Sequence, residues 1–199
     1  MADFPHNTSI TGKGEPVGIY TVPLEGKHRG ADLAVVLCDP LYAKNAASAM
    51  RTCAAYGVSQ LWWTGQRISL ELKEKGRWPR EERMKGYKSV QLFNHDRPLD
   101  FFEKGIVPVA IELDPTATSL LHFEHPDRAV YVFGPEDGSI YHPILRRCHW
   151  RIQIPTRHCL NLGQAISTVL WDRHYKRWMA GKEQEIPPRE ALAEDRGIQ

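Results

Sequence analysis

Six short runs of apolar, β-branched or aromatic residues recur along the chain: 32–38 "DLAVVLC", 60–64 "QLWWT", 89–93 "SVQLF", 107–113 "VPVAIEL", 129–133 "AVYVF" and 149–154 "HWRIQI". Each is bounded by Gly, Pro, Asp or Asn, which reads as a strand ending in a turn. Between them the spacing predicts helices over 44–56, about 68–75, 97–104, 140–147 and 161–179. In the last, Leu162, Ala165, Ile166, Val169 and Leu170 return at helical intervals, with Asn161 placed to cap the start and Gly181 just past the end. In 44–56, "KNAASAMRTCAAY", Asn45 is placed to cap and Gly57 to close the helix, and the small residues permit close approach of other backbone. Strands that are nearly continuous apolar runs, alternating with helices, predict an α/β fold with a mostly parallel sheet covered by helices.

The flanks differ from this pattern. Residues 1–30 are rich in Gly, Pro and polar residues and read as a loose leader, 31–180 as one domain, and 181–199 as a charged, flexible tail containing Pro-Pro. A chain of 199 residues is long enough to bury a real core. The net charge of +2 neither demands nor excludes nucleic acid. No apolar stretch approaches the roughly 20 residues of a membrane span, and the N-terminus has no basic region followed by an apolar core. The four cysteines include no C-x-x-C pair and fall inside apparently regular segments, which predicts reduced thiols and a cytoplasmic protein.

Open parallel sheets bind ligands beyond the carboxyl ends of their strands. Three such ends carry unusual polar residues: Asn45 and Arg51 after the first strand, "GPEDGSI" with Glu136 after the fifth, and "PTRHCLN" with Cys159 and Asn161 after the sixth. Taken singly, Gly-Pro-Glu-Asp-Gly is good turn chemistry, Arg51 a surface arginine and Asn161 a cap. Residues 67–88 combine Arg and Lys with Trp78 and Tyr87. They fit either a solvated mixed-charge surface or one that tracks RNA phosphates and stacks a base. His142, Cys148, His149, His158 and Cys159 match no common zinc spacing, so no metal is expected.

Together the three stretches resemble the motifs of the SpoU/TrmH family of SPOUT RNA methyltransferases. The first is "NAASAMRTCAAYGV", an Asn, an Arg six residues on, and a helix ending in Gly-Val. The second, "VFGPEDGSI", is similar to F-G-x-E-x-x-G-[IL], with Gly138 one position early and Ser139 in place of the family's glycine. The third, "IPTRHCLNLGQAISTVLWD", is similar to Ile-Pro followed by Ser-Leu-Asn and a long helix, with Cys159 in place of the serine. The resemblance covers about residues 32–178.

That resemblance implies a deep C-terminal trefoil knot, S-adenosylmethionine as cofactor, a homodimer, and methylation of an RNA ribose 2′-hydroxyl, with tRNA favoured over rRNA. By matched position Arg51, Asn45, Glu136 and Asn161 are the expected catalytic residues. Asn45 would orient Arg51, and Glu136 would anchor its own loop or hold Asn45 and Arg51. Leu113, Gly134, Ile154, Cys159 and Leu160 are the expected cofactor contacts, Gly134 because a side chain would block close approach of the ligand. Asp137 reads as turn chemistry. Two rival readings follow from the altered positions: a catalytically inactive RNA-binding protein, and a base methyltransferase on the same scaffold, with Cys159 as a possible nucleophile.

Overall fold

A computed structural model describes residues 9–10, 17–18, 20–21, 31–75, 79 and 90–186. Most of the leader, the tail beyond Ile186, and the stretch carrying Trp78 and Tyr87 lie outside the described residues. The strands are β1 (Ser9–Ile10), β2 (Val17–Gly18), β3 (Tyr20–Thr21), β4 (Leu33–Leu37), β5 (Gln60–Trp63), β6 (Gln91–Asn94), β7 (Val107–Ile111), β8 (Thr118–Ser119), β9 (Ala129–Phe133) and β10 (Trp150–Gln153). The α-helices are α1 (Ala43–Ala55), α2 (Arg67–Lys75), α3 (His142–Leu145) and α4 (Leu162–Met179).

β1 and β2 form a small antiparallel pair. The other strands form one sheet in the order β3-β6-β5-β4-β9-β7-β10-β8, in which every pairing is parallel. Every residue of β9 is buried, as a strand covered on both faces requires. Alternation sorts the core into two layers. Val35, Leu37, Leu61, Trp63, Tyr131 and Phe133 meet α1 and α4 on one face. Ala34, Val36, Trp62, Val130 and Val132 meet Ile140 and Ile144 on the other, where Trp62 stacks on Phe93 at 4.3 Å between centroids. The chain leaving β4 therefore turns to one face and the chain leaving its neighbour β9 to the other. That divergence opens a crevice beyond their carboxyl ends.

Helix ends show which sequence signals hold. Asn161 caps α4, its Oδ1 accepting from Gly163 N at 2.9 Å. Past α4, Gly181 at φ +68 allows Gly181 N to donate to Trp178 O and Lys182 N to Arg177 O, both at 2.9 Å. Gly57 at φ +70 likewise lets Val58 N reach Cys53 O. Asn45 does not cap α1. The helix begins two residues earlier, after Tyr42, and the Ala43 N–H is taken by Glu71 Oε2 from α2 at 2.7 Å. The expected helix at 97–104 is only a 3-10 turn, Pro98–Phe101, because the chain is extended again at Phe102. α3 is four residues long, far shorter than 140–147. Of the cysteines only Cys53 lies within a helix or strand; all four are free, and Cys159 is exposed in a loop.

A buried polar cluster lies beneath α4. His125 Nδ1 meets Tyr131 Oη at 2.5 Å, and Nε2 meets Asp172 Oδ2 at 2.8 Å. Desolvation pushes the imidazole down to about 4, against the attraction of Asp172, and burial pushes the Tyr131 phenol up to about 12. Between about 6.5 and 4 the unfolded chain binds a proton that the folded chain refuses. Stability is therefore lost as pH falls through that window, by up to about 3 kcal/mol, and the loss ends below it. Urea melts across this range should show the slope, and His125→Gln should flatten it even if the midpoint drops.

Candidate functional site

Four carboxyl-end loops enclose a cleft of about 400 Å³. Tyr42, Lys44 and Asn45 come from the loop after β4 and the start of α1, and Glu112 and Leu113 follow β7. Gly134, Glu136 and Gly138 follow β9, and Ile154, Cys159, Leu160 and Asn161 follow β10. Leu113 and Leu160 turn apolar surface outward, at 61% and 37% exposure, so the cleft has a greasy side and a polar side. That combination suits a ligand with a flat aromatic part and charged groups.

The polar side is a chain of hydrogen bonds. Glu136 Oε2 accepts from Leu41 N at 2.8 Å, and Oε1 accepts from Asn45 Nδ2 at 2.5 Å. Asn45 Oδ1 in turn accepts from Asn161 Nδ2 at 3.2 Å, and Asn161 Oδ1 is used by Gly163 N. Asn45 is buried, so its amide must find partners inside the protein. Three residues 91 and 116 positions apart in sequence thus form one unit.

Arg51 stands apart from that unit. It is exposed and lines a neighbouring groove with Ser48, Thr52, Tyr56, Gln164 and Ser167. Asn45 and Glu136 make no bond to it, so the expected orientation of Arg51 by Asn45 is absent: both ends of the Asn45 amide are already engaged. Asn161 is the bridge, because it lines the cleft and the groove alike. The two helices meet closely here. A Cβ on Gly163 would lie 2.6 Å from Ser48 Oγ, which explains the glycine in the first turn of α4.

The five expected cofactor contacts, Leu113, Gly134, Ile154, Cys159 and Leu160, all line the cleft. The reason for Gly134 differs from the expectation. A Cβ there would press on its own loop, 3.3 Å from Ile140 N and 3.4 Å from Ile140 Cγ1. The displaced Gly138 has no such constraint: a Cβ would meet only Pro135 Cγ at 3.6 Å. Gly138→Ala should therefore leave stability within about 0.5 kcal/mol of wild type. Gly134→Ala should loosen the loop and weaken ligand binding, as thermal melts and a ligand titration would show.

Glu112 was not anticipated. It lies one residue past β7, and its Oε2 accepts from Ile140 N at 2.9 Å, tying down the far end of the Gly134 loop. A single acid ending an apolar run carries no sequence signal for this task. Asp137 is also more than a turn residue, since its Oδ2 lies 2.8 Å from Arg67 Nη1. Among the described residues no group of three or more His, Cys, Asp or Glu side chains is placed to hold a metal ion, and no helix is long and apolar enough to cross a membrane.

A family model described as the SpoU rRNA Methylase family matches residues 32–171, most of the chain, taking in the first two motifs and the third as far as Trp171. The chain belongs to that family. It is a SpoU/TrmH RNA methyltransferase by membership, and the knotted SPOUT fold follows from the same membership. No curated protein matches it. Solved structures share the fold of this SpoU chain at low identity. The A. aeolicus TrmH/SpoU tRNA modifying enzyme is 20% identical with a TM-score of 0.65, the match covering 88% of this chain and 93% of that one. AviRb from Streptomyces viridochromogenes, a SpoU methyltransferase in complex with AdoMet, is 17% identical with a TM-score of 0.63, over 76% of this chain and 63% of AviRb. A structure concerned with 2-OH methylation of C/U34 on tRNA is 22% identical with a TM-score of 0.58, over 75% of this chain and 97% of that one.

Proposed function

We propose that this SpoU-family protein transfers a methyl group from S-adenosylmethionine to a ribose 2′-hydroxyl of RNA, with tRNA as the first substrate and rRNA the second. The reading also takes the protein as a cytoplasmic homodimer. The observation that carries it is Asn161, which joins a ligand-sized cleft to an arginine-bearing groove.

The cleft fits the cofactor. Leu113, Ile154 and Leu160 offer an apolar seat for an adenine, while the acids Glu112 and Glu136 line the same cleft. Their negative charge suits a cationic sulfonium. Bound there, the cofactor supplies an already activated methyl group. The chain supplies position and charge. The Glu136–Asn45–Asn161 unit holds the boundary between cleft and groove rigid, which fixes the approach of the hydroxyl oxygen. A guanidinium is a very poor base, so the role left to Arg51 is electrostatic. It stabilises the oxygen as negative charge develops and orients the neighbouring phosphate, while the hydroxyl proton leaves to water in the open groove. The exposed Trp171, Tyr175, Trp178 and Met179 along α4 support a face that a second copy covers.

The test is a calorimetric titration with S-adenosylmethionine, then incubation of the protein with methyl-labelled cofactor and tRNA or rRNA, followed by nucleoside analysis. The expected product carries the label on ribose. Label on a base would replace this reading, and RNA retention without transfer would indicate an inactive binder. Cys159→Ser should stay active, because the Cys159 thiol is free and exposed and makes no hydrogen bond among the described residues that would activate it.

A further inference from the structure

Arg67, the first residue of α2, touches two loops at once. Its Nη1 donates to Asp137 Oδ2 at 2.8 Å, its Nε lies 3.0 Å from Asp39 Oδ2, and its Nη2 donates to the Asp39 carbonyl. Asp137 is the neighbour of Glu136 in the loop after β9. Asp39 lies in the loop after β4, two residues before Leu41, whose N–H is held by Glu136. One guanidinium thus closes a ring: Arg67 to Asp137, along the backbone to Glu136, across to Leu41, and back through Asp39.

The local structure is built for this arrangement. Asp39 has φ 42, in the left-handed region that side chains seldom adopt. Its N–H is held by Thr64 Oγ1 at 3.0 Å. Gly65, at φ +69, makes room for it: a Cβ there would fall 2.0 Å from Asp39 Oδ1. Backbone strain of this kind persists only where surrounding contacts over-determine it. The clasp is also a poor device for holding the whole fold, since the Arg67, Asp39 and Asp137 side chains are 30%, 45% and 51% exposed. Exposed ion pairs add little net stability. A planar fork is needed to serve two carboxylates and a carbonyl together, and lysine lacks one.

We propose that Arg67 is a positioning residue for methyl transfer, setting the distance between the two loops so that Glu136 reaches both Leu41 and Asn45. The proposal rests on the methyltransferase reading only for its effect on rate; the positioning itself is a property of the loops.

The test uses the full chain with Arg67→Met, Arg67→Lys and Asp137→Asn. Hydrogen exchange at the Leu41 amide and the Asn45 side-chain resonances report the loops directly. Exchange at Leu41 should quicken about tenfold in all three variants, while exchange in β9 and the melting temperature stay near wild type. On RNA, kcat should fall about tenfold with KM for RNA unchanged, the pattern of misplaced reacting groups rather than lost substrate binding. Wild-type exchange at Leu41 in Arg67→Met would overturn the proposal. So would a fall in global stability that accounts for the whole effect, or a loss confined to KM. If the wild-type protein methylates no RNA, the functional reading fails, yet the exchange result still decides the role of Arg67.

Discussion

Arg51→Ala should lower methyl transfer to RNA by about a hundredfold to a thousandfold while leaving S-adenosylmethionine affinity unchanged. The separation follows from geometry. Arg51 lies in the groove beside the cleft and makes no bond to Glu136 or Asn45, so nothing on the cofactor side relaxes when it is removed. On the proposed mechanism, what disappears is a charge aimed at an oxygen that becomes negative only during reaction, which lowers kcat more than binding. Arg51→Lys should recover a small part, because an ammonium keeps the charge without the fork that grips a phosphate. Single-turnover transfer beside calorimetry of the cofactor measures both quantities. Equal losses in the two would place Arg51 in the cofactor site instead.

Glu136→Gln should have the opposite signature, weakening cofactor binding about tenfold or more as well as slowing transfer. Both oxygens of Glu136 face donors, Leu41 N on one side and Asn45 Nδ2 on the other. A carboxylate accepts twice, whereas an amide must turn its NH2 group toward one of them. That leaves a donor opposed by a donor, at a cost of about 1–3 kcal/mol. The Asn45 amide, buried and engaged with Asn161, passes the disturbance to the edge of the groove. Calorimetry with Glu136→Gln and with Asp137→Asn separates direct from indirect support of the loop. An affinity unchanged in Glu136→Gln would mean that the unit does not shape the cleft.

The central strands were legible because burial on both faces writes long apolar runs such as "AVYVF". Asn161 was legible as a cap because capping is local: an amide two residues away does the work. Asn45 looked the same in sequence and is not a cap, because Glu71, 28 residues downstream, takes the first free N–H of α1. A distant carboxylate cannot be seen in a local pattern. The same holds for Glu112, which closes the Gly134 loop, and for Arg67, whose partners flank it in two other loops. β8 escaped notice because it is a polar two-residue edge strand with no apolar run to mark it. The resemblance located the cleft residues, but the division of labour between cleft and groove needed three dimensions.

The Glu136–Asn45–Asn161 unit has a further consequence, in time rather than in space. Its members follow β4, β9 and β10, with Asn45 91 and 116 positions from the other two, and the strands beneath them pair out of sequence order. Such non-local topologies close slowly, because chain entropy is lost before distant contacts reward it. No fragment ending before Asn161 holds a complete unit, so a nascent chain has no finished cleft to offer. Ligand binding then acts as a proofreader of folding: it adds stability only to molecules in which the last segment has arrived. Refolding followed by recovery of cofactor binding should therefore lag behind the return of helical signal, with the interval marking the docking of α4 onto α1.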